Sequence, residues 1–241
     1  MTYRYMDYLI SESPIYTNEG KKIEVFHLDV QDDPEIFEEW AKQFRRNYCS
    51  DDELDEMVSS MNITSKKYLV DFKLPSDNSL GRSTMSGDFG EILVSDYLQI
   101  IEEYVVPRTR YDSKVNKDSS TQGSDVIGYK KDPLNTANDE VVVIEVKSSS
   151  SNSKSCEAKN KLQVAIKHSD KDFERFSTSI VASYLKLKNS NIEQANVVKR
   201  FLNITDSPFN VIYGAGAVHS NQSFDINILK EEIGRASCRE R

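Results

Sequence analysis

Long apolar runs are absent from this sequence. No stretch of its 241 residues approaches the length of a membrane-spanning helix, and the first residues lack the basic and apolar regions of a secretory signal peptide. We therefore expect a cytoplasmic protein that makes no use of a membrane. The ordinary apolar and charged contents predict a globular chain with a sizeable core.

Cysteine is also scarce, since only Cys49, Cys156 and Cys238 are present and no two of them have the spacing of a zinc site. Reduced thiols are the natural interpretation. No Gly-x-Ser-x-Gly elbow surrounds a serine, and no Gly-x-Gly-x-x-Gly opens a helix. We therefore expect neither a serine nucleophile nor a small-molecule organic cofactor.

Histidine is equally rare. His27, His168 and His219 are scattered, with no second histidine three or four residues away and no cysteine pair nearby. A structural or surface role is favoured over metal binding for each of them. The sequence therefore offers carboxylates, rather than imidazoles or thiols, as candidate metal ligands.

Positive charge is in short supply. The formal net charge is −8, and residues 1–107 carry 10 basic and 22 acidic side chains, whereas residues 108–175 carry 13 and 11. An acidic chain is a poor general binder of nucleic acid because phosphate contacts need local positive charge. A polyanion must therefore approach the middle segment or be delivered by a partner.

The last nine residues, 233–241, break with the composition before them. Their sequence, IGRASCRER, looks like the translation of a short-read sequencing adapter. Our hypothesis is that adapter read-through truncated the gene near Glu232, so that the native C-terminus is missing. The alternative is a genuine basic tail, which a genomic template encoding these residues would establish.

Hydrophobic periodicity predicts an α/β chain. Helices are expected at Pro34–Tyr48, Asp51–Met61, Gly87–Val105, Lys159–Lys188 (one long helix or two shorter ones) and Ile192–Leu202. Strands are expected at Lys22–Val30, Asn210–Val218 and Phe224–Leu229. Tyr68–Leu74 fits either a strand or the end of a helix, and Pro75–Ser86 is interpreted as a polar linker.

Two acids interrupt strand-like runs between residues 123 and 150. Asp125 opens a short apolar run, and Glu145 interrupts the Val/Ile run that leads to Lys147. Because side chains alternate along a strand, Glu145 and Lys147 share one face, and Ile144 and Val146 share the other. A buried strand would carry Val or Ile in place of the charged pair. Such a conflict between pattern and residue type indicates a functional site.

A third acid precedes them along the chain. The predicted helix Gly87–Val105 places Glu91 in its first turn, at the margin of the buried face. The alternative is that Glu91 has no catalytic role and is present because carboxylates are favourable near a helix N-terminus.

These acids have the chemistry of a magnesium site. Mg²⁺ prefers oxygen ligands and is commonly held by one or two carboxylates plus substrate phosphate. Asp125 and Glu145 could supply the carboxylates if their strands pair, and Glu91 could complete the shell. A bound metal lowers the pKa of water and neutralises charge on a phosphoryl group. Lys147 would then orient the attacking water or stabilise the phosphoryl oxygens.

Polar and basic residues flank these acids. The polar loop around residues 108–121 contributes four cations that are either solvated or face phosphate, namely Arg108, Arg110, Lys114 and Lys117. On the helix that follows the second strand, Gln163 and Lys167 could face the site, with a solvated helix face as the alternative.

A helix Glu, a strand Asp and a Glu-x-Lys on the next strand resemble the active site of the PD-(D/E)xK nuclease superfamily. The resemblance implies a central mixed β-sheet flanked by helices. It assigns catalytic roles to Glu91, Asp125, Glu145 and Lys147. The three acids and the backbone carbonyl of Val146 would bind the metal. The sequence departs from the motif at one point, because Gly123-Ser124 rather than a proline precedes Asp125.

Longer segments are similar to the HamA family of the Hachiman antiphage defence system. They are WAKQFRRNYCSDDELDEM, GDFGEILVSDYL, VPRTRYDSKVNKDSSTQGSDVIGY, VIEVKSSSS and KLQVAIKHSDKDFERF. The resemblance implies a DNA nuclease that uses Mg²⁺, with Mn²⁺ as a substitute. It also implies a HamB-like helicase partner that restrains the nuclease until phage infection or damaged DNA is sensed.

The chain divides accordingly. Residues 1–75 are interpreted as an acidic N-terminal α/β extension and a candidate docking region for the partner, residues 76–232 as the nuclease domain, and residues 233–241 as the artefact. Two alternatives stay open: a catalytically silent module that binds DNA or anchors the helicase, and a stand-alone restriction-type endonuclease. The sequence does not distinguish single-stranded from double-stranded substrates.

Overall fold

The chain contains both helices and strands, as the periodicity of the sequence predicts. The computed structural model describes residues 3–108, 110–111, 114–120, 123–150, 157–205 and 207–232. The tail 233–241 falls outside them. The described residues have an α/β fold, and they contain no helix long and apolar enough to span a membrane.

The N-terminal part of the chain consists of short strands and helices: β1 (Leu9–Ser11), β2 (Ile15–Tyr16), β3 (Lys22–Ile23), β4 (Phe26–Leu28), α1 (Pro34–Arg46), α2 (Asp51–Met61) and α3 (Ser65–Tyr68). Two antiparallel pairs form, β1 with β4 and β2 with β3. The remaining elements are α4 (Ser79–Asp96), β5 (Val126–Lys130), β6 (Glu140–Ser149), α5 (Glu157–Ser190), α6 (Ile192–Lys199), β7 (Asn210–His219) and α7 (Ile226–Glu232).

Most predicted elements are confirmed, two are revised in the N-terminal half, and one alternative left open there is decided. The strand predicted at Lys22–Val30 is the two short strands β3 and β4. The segment Tyr68–Leu74 is helical, because a π-helical turn at Leu69–Lys73 continues α3. The linker predicted at Pro75–Ser86 is wrong beyond residue 78, since the side chain of Asn78 caps α4 by accepting a hydrogen bond from the N–H of Gly81.

One late strand is also wrong. The alternating pattern at Phe224–Leu229 predicts a strand, but residues 226–232 form α7. The carboxylate of Asp225 accepts a hydrogen bond from the N–H of Asn227, and the carbonyl of Asp225 accepts one from the N–H of Leu229. These bonds start a helix, and they outweigh the weak alternation of so short a segment.

The central sheet has the strand order β5-β6-β7, with β5 antiparallel and β7 parallel to β6. On one face, Val142 and Val146 pack in a cluster with residues of α4 and of the π-helical turn that follows it. On the other face, the fully buried Val141 and Val143 pack against α5 and α6. The middle strand β6 is therefore covered on both sides, which explains its Val/Ile-rich run.

The N-terminal part shares its packing with α4 and the loop that follows. Tyr5 stacks on Trp40 of α1, with the ring centroids 5.4 Å apart, and their cluster includes Ile100, just beyond α4. Tyr48, which has no exposed surface, packs with Ile92 of α4. Residues on both sides of the predicted boundary at residue 75 therefore contribute to the same small cores.

Gly90 marks a close approach of α4 to β6. A Cβ at Gly90 would lie 2.9 Å from the Cβ of Ser148, whereas a Cβ at Gly87 would meet nothing within 4 Å. We expect Gly90→Ala to lower the free energy of unfolding by about 1–3 kcal/mol through overpacking. Gly87→Ala should raise it by roughly 0.5–1 kcal/mol because alanine favours the helix. Urea denaturation compares the two variants, and changes of the same sign would contradict this packing.

Candidate active site

The predicted strand acids meet where β5 begins. Val126, the first residue of β5, pairs with Ile144 of β6, so Asp125 lies beside Glu145 in the antiparallel register. The carboxylate of Asp125 confirms this alignment, because its Oδ2 accepts a hydrogen bond from the N–H of Val146 at 3.0 Å. The pairing of the two strands that the sequence predicts is therefore present.

Three oxygen atoms converge on the ammonium of Lys147. Its Nζ lies 2.5 Å from Glu145 Oε1, 3.2 Å from the carbonyl oxygen of Val146 and 3.6 Å from Asp125 Oδ2. The Glu145 side chain is buried, whereas that of Lys147 keeps 27% of its surface exposed. The oxygens predicted to bind a metal on the two strands therefore already surround one cation.

The surroundings of Lys147 keep its ammonium protonated. Burial lowers the pKa of Lys147, but the hydrogen bond to Glu145 and the charges of Asp125, Glu145 and Glu91 outweigh burial, and the net effect raises the pKa. Lys147 is therefore charged at neutral pH and balances the carboxylates. A divalent cation would compete with it for the same oxygens.

Glu91 sits deeper in its helix than the sequence predicts. Because α4 begins at Ser79, Glu91 lies well inside the helix and not in its first turn. The preference of carboxylates for helix N-termini therefore does not explain its position. Its Oε2 accepts a hydrogen bond from the hydroxyl of buried Tyr111 at 2.9 Å and lies 3.5 Å from Arg110 Nε.

Arg110 connects Glu91 to the strand acids. Its Nη1 donates a hydrogen bond to Asp125 Oδ1 at 2.7 Å, and its side chain is 11% exposed. The guanidinium therefore lies between the helix acid and the first strand acid. Although the sequence suggested a phosphate contact for Arg110, the structure pairs it with acids inside the site.

Burial makes Glu91 a weak acid. Burial raises its pKa, the charge of Arg110 opposes the rise, and the resulting pKa is about 7. An unfolded glutamate titrates near pKa ~4.3, so the native state binds more protons than the unfolded chain between these values. The contribution of Glu91 to the free energy of unfolding must therefore fall as the pH rises through this window.

Glu91→Gln should remove this part of the pH dependence. Relative to the wild type in metal-free buffer, the variant should gain about 2 kcal/mol of unfolding free energy between pH 5 and pH 8. Denaturant unfolding at the two pH values measures the gain. An identical stability difference at both pH values would show that Glu91 titrates normally.

The other three basic residues of this loop that were predicted to bind DNA contact groups of the protein itself. Arg108 Nη2 lies 2.6 Å from buried Asp96, and Lys114, with a 3% exposed side chain, lies 2.6 Å from buried Asp88. Lys117 donates a hydrogen bond to the carbonyl of Val70. Phosphate contacts by Arg108 or Lys114 would require these buried ion pairs to open.

On α5, Lys167 is exposed and Gln163 is partly buried. Among the residues that the structure describes, neither makes a contact that decides between a solvated helix face and a DNA contact. Their DNA-binding role therefore stays a prediction.

Sequence reasoning missed two residues next to the acids. His168 Nδ1 lies 3.4 Å from Glu145 Oε1, although the sequence favoured a structural or surface histidine. His168 follows Ala165 by three residues, which puts the two on the same side of a helix. Because Ala165 is fully buried in the structure, this spacing could have placed His168 near the sheet-facing side of α5. Tyr111, the other, is an aromatic residue in a polar loop, and periodicity gives no signal there.

The oxygen atoms at this site have the chemistry of a magnesium site, although few of them come from side chains. Among the described residues, no three histidine, cysteine or acidic side chains are placed to hold a metal ion. Mg²⁺ does not need such a group, because it keeps several waters and binds through one or two carboxylates. Asp125 and Glu145, with the Val146 carbonyl, meet this requirement. Glu91 contacts Arg110 and Tyr111 instead.

Comparison with known proteins agrees with the sequence resemblance. The model of the family described as HamA matches residues 4–237, which is nearly the whole chain and includes all four predicted catalytic residues. A search of curated proteins finds no match. The chain therefore belongs to the HamA family of the Hachiman antiphage defence system.

Proposed function

We propose that the protein is a metal-dependent DNA endonuclease, the effector of a two-component defence complex with a helicase. The main observation behind the proposal is that Asp125 Oδ2, Glu145 Oε1 and the Val146 carbonyl converge on one cation position, which the Lys147 ammonium occupies. Membership of a defence family supports the biological setting.

The arrangement of elements supports a PD-(D/E)xK core. A helix that carries an acid, two antiparallel strands, two helices and a third strand follow one another as α4, β5, β6, α5, α6 and β7. Glu91 is on the first helix, Asp125 directly precedes β5 and Glu145 is on β6. This order and this placement favour a nuclease over other α/β enzymes.

Each side chain at the site has a chemical task in this proposal. Asp125 and Glu145 would hold Mg²⁺, which supplies a water of lowered pKa and neutralises charge on the scissile phosphate. Lys147, released from the oxygens, would donate hydrogen bonds to the attacking water or to a phosphoryl oxygen. His168, beside Glu145, would fix the orientation of that carboxylate.

The acidic character of the chain favours delivery of DNA by a partner. The net charge is −8, and the buried ion pairs of Arg108 and Lys114 reduce the positive charge available to phosphate. We therefore assign DNA engagement to the helicase and bond cleavage to this chain.

Plasmid cleavage tests the proposal. The purified protein is incubated with DNA and Mg²⁺, with and without its partner helicase, and EDTA is added in parallel. We expect cleavage that needs Mg²⁺, and in the complex with the partner it should be greatest on damaged DNA, which releases the restraint by the helicase.

Other outcomes would favour the alternatives. DNA binding without cleavage under every condition would favour a catalytically silent module. Site-specific cleavage without the partner would favour a restriction-type endonuclease.

A further inference from the structure

Arg110 is a buried cation inside the acidic centre. Its guanidinium contacts two of the proposed site acids, through Nη1 to Asp125 Oδ1 at 2.7 Å and through Nε to Glu91 Oε2 at 3.5 Å. It also reaches the carbonyl of Gly123 at 3.5 Å. A planar, permanently charged group with several donors suits such a bridge, which the single ammonium of lysine cannot reproduce.

The contact to Asp125 decides which oxygen faces the cation position. Arg110 donates a hydrogen bond to Oδ1 of Asp125. The other oxygen, Oδ2, accepts a hydrogen bond from the N–H of Val146 and lies 3.6 Å from the Lys147 ammonium. Asp125 is therefore fixed at both oxygens, and only one of them points toward the proposed metal position. Such supporting contacts orient ligands and strengthen metal binding.

The loop that carries Arg110 is itself anchored. Lys186 of α5 donates a hydrogen bond to the carbonyl of Arg108, and the Arg108 side chain binds Asp96 of α4. Tyr111 donates a hydrogen bond to Glu91. Residues on both sides of Arg110 are therefore held by the helices that flank the sheet, so the guanidinium has a defined position.

We propose that Arg110 is a positioning residue for the proposed metal-dependent reaction. It orients Asp125 toward the metal, and it keeps Glu91 as a supporting acid outside the metal's ligands. The inference rests on the proposed function. It assigns Arg110 a role inside the site in place of a phosphate contact.

Arg110→Lys tests the geometry without removing the charge. Binding of Mn²⁺ to the DNA-free protein is measured by electron paramagnetic resonance, and folding is followed by thermal denaturation. We expect the Kd for Mn²⁺ to rise at least about tenfold, as for other residues that orient metal ligands. The matched control, Arg200→Lys, makes the same substitution beside another buried carboxylate, Asp139, away from the site, and should leave the Kd unchanged.

A second variant covers the case in which Arg110→Lys does not fold. Glu91→Gln/Arg110→Met removes one carboxylate and the guanidinium, so at pH 8, above the pKa of Glu91, its Mn²⁺ affinity reports the loss of orientation at nearly constant net charge. It should also bind Mn²⁺ at least about tenfold more weakly. Wild-type affinity in whichever of the two variants folds would overturn the inference alone, and so would equal weakening in Arg200→Lys. Absence of Mn²⁺ binding by the wild type would overturn the proposed function as well.

Discussion

Glu145→Gln is expected to abolish DNA cleavage. The substitution keeps the shape of the side chain but removes the charge of the oxygen that lies 2.5 Å from the Lys147 ammonium, and a neutral amide is a poorer ligand for Mg²⁺. We expect the cleavage rate to fall by at least about 10²–10³-fold, the range for loss of one preorganised group at an active site. Plasmid cleavage by the complex with the proposed helicase partner measures the rate.

A matched control lies on the same strand. Glu140 is the first residue of β6 and accepts a hydrogen bond from the hydroxyl of Tyr104, away from the cation position. Glu140→Gln should cleave DNA at close to the wild-type rate. Undiminished cleavage by a folded Glu145→Gln variant would remove Glu145 from the proposed mechanism.

Lys147→Met should change metal binding and cleavage in opposite directions. The ammonium competes with a metal for three oxygens, so its loss should lower the Kd for Mn²⁺ by about tenfold, equivalent to about 1.4 kcal/mol. Cleavage should nevertheless fall by about 10²–10³-fold, because the donor to the attacking water or the phosphoryl group is gone. Electron paramagnetic resonance and the plasmid assay measure the two effects on the same preparation.

The opposite signs of the two expected changes distinguish this role of Lys147 from a purely structural one. A lysine that only stabilised the fold would weaken both properties together, and Lys188→Met, at an exposed position of α5, should change neither. Weaker Mn²⁺ binding by a folded Lys147→Met variant would contradict competition between the ammonium and the metal.

Strand alternation explains how the sequence could predict the strand acids. A period of two puts Glu145 and Lys147 on one face of β6, and the antiparallel pairing with β5 brings Asp125 to the same end of the sheet. Both facts follow from local pattern alone. Glu91 was predicted on the right helix but in the wrong turn, because the N-cap at Asn78 stands in a segment whose polarity resembles a linker.

The contacts of Arg110 and Tyr111 could not be predicted, because loop conformation has no periodicity. Their positions depend on long-range contacts, such as the hydrogen bond from Lys186 of α5 to the carbonyl of Arg108. Composition therefore suggested phosphate contacts where the structure has internal ion pairs. The same limit applies to Tyr5, whose stacking on Trp40 joins the N-terminal residues to α1.

The packing of the N-terminal part changes how its role in partner docking should be tested. Deletion of residues 1–75 would remove Tyr5 and Tyr48, which are buried against residues of the C-terminal part. Loss of helicase binding after deletion would therefore not separate docking from unfolding. Charge reversal at exposed acids of α2, such as Asp52 or Glu56, keeps the core and tests docking alone.

The position of the bound metal ion is the most direct test of the proposed active site. Crystals of the protein soaked in Mn²⁺ would be measured for anomalous scattering. We predict one peak at metal–oxygen bonding distance from Asp125, Glu145 and the Val146 carbonyl, with the Lys147 ammonium displaced and the Arg110 bridge between Glu91 and Asp125 intact. A peak bound to Glu91 in place of Asp125, or no peak at this site in crystals of a protein that cleaves DNA, would contradict it.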